Sequence, residues 1–198
     1  SLDDTVGGDV SNGNTPVAEN WRGLRIMPGG VVNMDNAVVR YGGYRYNCNF
    51  AGCLGVINNN GGTLNLTNSE ITKNGMYGIY NIAGTTNIDA SVISEHSRGI
   101  YLPAGNSVLI VHNGSVFHNN GYGILNYSSN VVDATRNWWG HATGPKHYSL
   151  NPGGLGNQVS DGVNFNPWLN YDPTIEQAPT IENLKQFRIN EDISLYEG

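Results

Sequence analysis

Short β-type runs recur along this chain, and no stretch carries an apolar stripe at helical spacing. A glycine followed by an aliphatic residue appears as Gly23-Leu24, Gly55-Val56, Gly78-Ile79, Gly99-Ile100 and Gly123-Ile124, at spacings of 32, 23, 21 and 24 residues. A second series reads "NAVVRYG", "NSEITKNG", "ASVISEHS" and "GSVFHNNG", and its alignment puts Val38, Ile71, Ile93 and Phe117 in one column. Between the two series lie "VVNM", "TLNL", "TTNID" and "SVLIV". Each repeat therefore holds three short strands separated by Gly/Asn turns, with no 3.6-residue periodicity over 21–137. The long first spacing contains "YRYNCNFAGC", an insertion within one repeat.

A fixed period of this size marks a stacked repeat architecture. Three strands per repeat predict an all-β fold, a right-handed parallel β-helix of about five to six coils rising ~4.8 Å per coil. The frame of a leucine-rich repeat is absent. In such a stack Ile79, Ile100 and Ile124 face inward, above one another. Asn58, Asn81 and Asn126 fall in one column, broken by Leu102, and read as turn and ladder residues. The open ends of the stack need covers, because bare strand edges pair with other chains. Residues 1–20 supply one cap, 21–137 the coils and 138–170 the other cap, where Trp138, Trp139, Phe165 and Trp168 are bulky enough to close the last coil.

The opening "DDTVGGDV…ENWRGLRIMPGG…NMDNAVVRYGG" and the closing "RNWWGHATGP" with "GNQVSDGVNFNPWL" resemble the ends of right-handed β-helix modules of the pectate-lyase-like superfamily, from bacterial secreted or surface multidomain proteins. The resemblance spans residues 1–170 and implies the architecture, an extracellular or bacterial cell-surface location and neighbouring domains in a longer chain. It implies no particular activity. Residues 171–198 read as an acidic, Pro-containing linker and the start of a following module, or as a tail packed back on the rod.

Composition sharpens this. The chain has 29 Asn and 27 Gly among 198 residues, and only 13% charged residues against about 25% in an average globular protein. Amides and glycines thus carry the polarity; both tolerate the positive φ of tight turns. The net charge of −6 argues against a nucleic-acid backbone as partner, and no window is apolar enough for a membrane helix. Cys48 and Cys53 can close a small loop as a disulfide or stand as two buried thiols.

Candidate chemistry is sparse. Enzymes of the superfamily resembled need clustered carboxylates, with Ca²⁺ and a basic residue in the lyases or as acid and base in the hydrolases. Only Glu70 and Glu95 fall near each other on adjacent coils, with Lys73 beside them, and an ordinary charge pair accounts for them as well. No catalytic residue is assigned. The five histidines read as surface residues on loops, with His96 and His118 on adjacent coils. Asp3, Asp4 and Asp9, with Ser11, Asn12 and Asn14, offer oxygens for calcium, the sole cofactor candidate, or form a solvated loop.

Aromatic columns give the clearest binding signal. Tyr77 and Tyr122 share a column with Arg98 between them and Arg22 below. Tyr80 and Tyr101 share another, between Ile57 and Leu125. Such a ladder suits the apolar face and hydroxyl rim of a sugar, or it only stacks across strands. The function expected is a non-catalytic display or adhesion module taking a polysaccharide or cell-surface glycan. The alternatives are a polysaccharide lyase or glycoside hydrolase, and a purely structural stalk.

Overall fold

The computed structural model describes residues 17–18, 21–43 and 54–175. They form fifteen strands and no helix. In chain order these are β1 (Leu24–Ile26), β2 (Val31–Asp35), β3 (Val38–Arg40), β4 (Gly55–Thr67), β5 (Glu70–Thr72), β6 (Tyr77–Asp89), β7 (Val92–Ser94) and β8 (Arg98–Leu102). There follow β9 (Val108–His112), β10 (Val116–His118), β11 (Tyr122–Asn126), β12 (Val132–Asp133), β13 (Pro145–Lys146), β14 (Gly156–Val159) and β15 (Val163–Asn164). Among the described residues no helix is long and apolar enough to cross a membrane.

Every ladder between these strands is parallel. The long strands β4 and β6 bend, so each joins two rows. Their first halves lie between β1 and β8, which leads on to β11 and β14. Their second halves lie between β2 and β9, which leads on to β12 and β15. A separate four-stranded sheet runs β10-β7-β5-β3. Parallel partners thus recur one repeat apart, as the period requires.

The pairing stacks like on like. Ile57, Ile79, Ile100 and Ile124 form one inward column in successive strands, each 0% exposed. Leu66, Ile88 and Val111 form a second. Val39, Ile71, Ile93 and Phe117 form a third, which corrects the sequence alignment at one rung. Val39 takes the position predicted for Val38; Val39 is 8% exposed and Val38 36%. Two adjacent valines offered either register, and burial selects the one that faces the core. Likewise Asn59, not Asn58, pairs with Asn81. "GVINNN" holds two aliphatics and three amides, and Ile57 takes the inward column instead of Val56.

Left-handed residues bracket the small strands. Asn36 and Tyr41 flank β3, Asn68 and Lys73 flank β5, Ala90 and Glu95 flank β7, and Asn113 and Asn119 flank β10, all with φ between 44° and 62°. Asparagine adopts this conformation more readily than other non-glycine residues, which accounts for part of its abundance.

The glycines of the Gly-Ile steps have a different cause. Gly78, Gly99 and Gly123 are absent from the positive-φ positions. A Cβ at Gly99 would lie 2.7 Å from the Gly123 carbonyl oxygen, and one at Gly78 would lie 2.7 Å from that of Gly99. The backbone of the next paired strand occupies the space a side chain needs. Gly99→Ala should therefore destabilise by about 1–3 kcal/mol through overpacking, read as a lower urea midpoint; an unchanged midpoint would contradict this packing.

Candidate functional site

Alternation along β6 and β8 turns Tyr80 and Tyr101 outward, because Ile79 and Ile100 before them face the core. The two tyrosines are register partners, with ring centroids 5.3 Å apart and planes within 2°. Tyr77 meets both edge-on, at 5.6 Å and 5.1 Å. Arg98, opposite Tyr77 in the pairing, lays its guanidinium 5.1 Å from the Tyr77 ring and 5.8 Å from that of Tyr101. Its Nη1 donates to the Tyr77 hydroxyl at 3.3 Å. These contacts combine stacking with cation–π attraction.

Four of the five predicted tyrosine and arginine positions thus meet in one cluster. Tyr122 pairs with Arg98 in register, but its hydroxyl turns to accept from Gln158 Nε2 at 2.8 Å. The neighbour of Tyr80 on the other side is Asn58, not Ile57, following the one-residue shift above. Tyr77 is 6% exposed, so its ring is packed within the cluster. Tyr80 and Tyr101 are half-buried. Burial, then the neighbouring phenols, pushes both hydroxyls above the ordinary tyrosine range, so they stay protonated at neutral pH.

The sequence columns missed Tyr127. It stands just past β11, edge-on to Tyr101 at 6.0 Å and 90°, and is 61% exposed. It lies outside the repeated strand positions, so column alignment had no place for it. The only signal was another tyrosine directly after Asn126. The cluster therefore ends in an exposed ring, Tyr127, packed edge-on against Tyr101.

The other candidates separate. Glu70 pairs with Val92, and Glu95 lies three residues beyond Val92 in a left-handed turn, so the two carboxylates are not register neighbours. His96 lies in the loop between β7 and β8 but is only 4% exposed, which corrects its reading as a surface residue. It is one rung of an internal ladder. Asn74 Nδ2 lies 3.1 Å from His96 Nε2, and His96 Nδ1 lies 3.1 Å from Asn120 Oδ1. Asn120 Nδ2 donates onward to Asn157 Oδ1 at 2.8 Å. Thus His96 meets Asn120 and not His118. His147 is also buried, with Nε2 3.2 Å from Asp161. Cys48 and Cys53, and the calcium candidates Asp3, Asp4 and Asp9, lie outside the described residues.

Comparison of the chain with protein-family models, with curated proteins and with solved structures found no match in any of the three.

Proposed function

We propose that the chain is a non-catalytic, extracellular module, a right-handed parallel β-helix of about five to six coils, that binds carbohydrate through its tyrosine face. The repeat period, the parallel pairing and the three inward columns support the coil architecture. The extracellular, bacterial-surface assignment rests on the resemblance of the two end segments.

One observation carries the binding proposal. Tyr127 is 61% exposed and stands perpendicular to Tyr101, a ring that the Arg98 guanidinium also approaches to 5.8 Å. A sugar ring can lay its apolar face on Tyr127 while its hydroxyls reach the protonated phenols of Tyr80 and Tyr101.

A glycan array tests this. Hits should weaken at least about tenfold in Tyr127→Ala, the loss of roughly 1.4 kcal/mol, with the urea midpoint unchanged because an exposed ring adds little to the core. Tyr77→Ala is unsuitable for the same purpose; it should lower the midpoint, since the Tyr77 ring is buried among Tyr80, Tyr101 and Arg98. An empty array favours the stalk reading, which draws on the same cluster: Tyr80 and Tyr101 already stack on each other, so cross-coil stabilisation alone accounts for that pair.

A further inference from the structure

A second face of the molecule carries an open cavity of about 510 Å³, away from the tyrosines. It lies over the ends of three successive strands, β4, β6 and β9, lined among others by Thr67, Asn87, Asp89, Ile110, His112 and Asn113. Its size falls within the ~300–1,000 Å³ range of small-molecule sites.

Comparison of the repeats with one another shows what is unusual there. On the earlier coils the outward polar groups satisfy one another. Asn65 Nδ2 donates to Asn33 Oδ1, and Asn87 Nδ2 donates to Asn65 Oδ1, each at 2.8 Å. The next residue in that column is Ile110, which has no amide. The ladder therefore stops, and Asn87 Oδ1 is left as a terminal acceptor. One column over, Asn68 Nδ2 donates to Asp35 at 3.2 Å. Asp89 and Asn113 occupy the same relation further up the stack, an aspartate ending its strand and a left-handed asparagine in the following coil. They make no such bond. Both side chains, with the Thr67 hydroxyl, line the cavity without a side-chain partner.

We propose that this cavity binds an uncharged hexose unit. Ile110 gives an apolar floor for the C–H face of a pyranose ring. Asp89 and Asn87 give acceptors for adjacent hydroxyls, and Asn113 and Thr67 can donate to ring or hydroxyl oxygens. The chemistry is selective. No Lys or Arg lines the cavity and Asp89 is a carboxylate, so a uronate meets repulsion. One carboxylate with Ile110 and His112 is a poor shell for Ca²⁺, which takes six to eight oxygens. The site shares no residue with the tyrosine face and does not depend on it.

The test is a ¹⁵N-resolved NMR titration of the intact chain with D-glucose, D-galactose and D-mannose, and separately with D-galacturonate and with CaCl₂. At least one hexose should shift the amide signals of Thr67, Asp89, His112 and Asn113, with a Kd on the order of 1–10 mM, as expected of a single small sugar. Asp89→Ala should weaken that binding at least about tenfold, and Tyr127→Ala should leave it unchanged. The Asp89 side chain holds nothing in the fold, so the variant stays folded. The proposal is overturned by silence of those signals to all three hexoses. A response to galacturonate as strong as to hexose, a response to Ca²⁺ alone, or hexose binding that survives Asp89→Ala overturns it equally.

Discussion

Trp139→Ala should destabilise the protein by about 3–5 kcal/mol, among the largest losses a single truncation gives. Trp139 extends the inward column of the four-stranded sheet. Val116 bridges Trp138 in parallel, so Trp139 follows Phe117. The two rings stack at 4.7 Å and 14°, and Trp139 is 0% exposed. Its removal would open a void at the end of the column and bare the Phe117 ring. Its indole N–H, by contrast, has no partner. Trp139→Phe removes that buried unpaired donor and keeps most of the ring, so it should cost less than about 1.5 kcal/mol. Urea unfolding of both variants checks the pair. Equal losses would show that the ring stack does not end the core.

The second large effect is a dependence of stability on pH. His96 sits between two amides. Asn120 Oδ1 can only accept, so His96 Nδ1 carries the proton and Nε2 accepts from Asn74 Nδ2. Asn74 Oδ1 is already taken by the Gly42 amide at 2.8 Å, which fixes that orientation. A second ring proton would point at the Asn74 NH₂. Burial lowers the His96 pKa from 6.5 to about 4, only partly opposed by the bond to Asn120. The unfolded chain therefore binds this proton first. Stability from His96 is complete above pH 6.5 and falls as pH drops, until the folded state also protonates near pH 4. Across that window the loss is on the order of 3 kcal/mol. Carboxylates titrate in part of the same range, so the decisive quantity is a difference between proteins. His96→Gln keeps an amide in the ladder and removes the titration. Between pH 7.5 and pH 4.5 the wild type should lose about 2–3 kcal/mol more than the variant. Equal losses would mean that His96 is not held neutral.

Much of the fold was legible because its signal repeats. A Gly-Ile step every 21 to 24 residues fixes the pairing of Ile79, Ile100 and Ile124 without knowledge of any contact. The register slipped only where the sequence offered two equivalent choices, at Val38/Val39 and within "GVINNN". There burial decides, and burial is a property of the sheets packing together. His96 was misread for a related reason. In sequence it is one imidazole in a polar turn; its neighbours Asn74 and Asn120 lie 22 and 24 residues away, and only stacking turns the three into a ladder.

The site was partly legible. Columns brought Tyr77, Tyr80, Arg98 and Tyr101 together correctly, because strand register determines who faces whom. They could not tell which tyrosine the molecule spends on itself. Tyr77 and Tyr127 are the same residue type, and burial separates them. Tyr122 was counted with the cluster for its column and left it for a hydrogen bond to Gln158, a residue of the closing segment that no repeat predicts. The cavity beside Asp89 was invisible to alignment, since it arises where a ladder fails, at Ile110.

Calorimetry of wild type, Tyr127→Ala and Tyr148→Ala with the best glycan found on an array shows whether the tyrosine face binds. Tyr148 is 93% exposed and has no ring contact among the described residues, so it controls for the loss of any surface tyrosine. The proposed function requires at least about tenfold weaker binding in Tyr127→Ala and unchanged binding in Tyr148→Ala. Equal affinity in all three proteins would contradict a binding role for the tyrosine face.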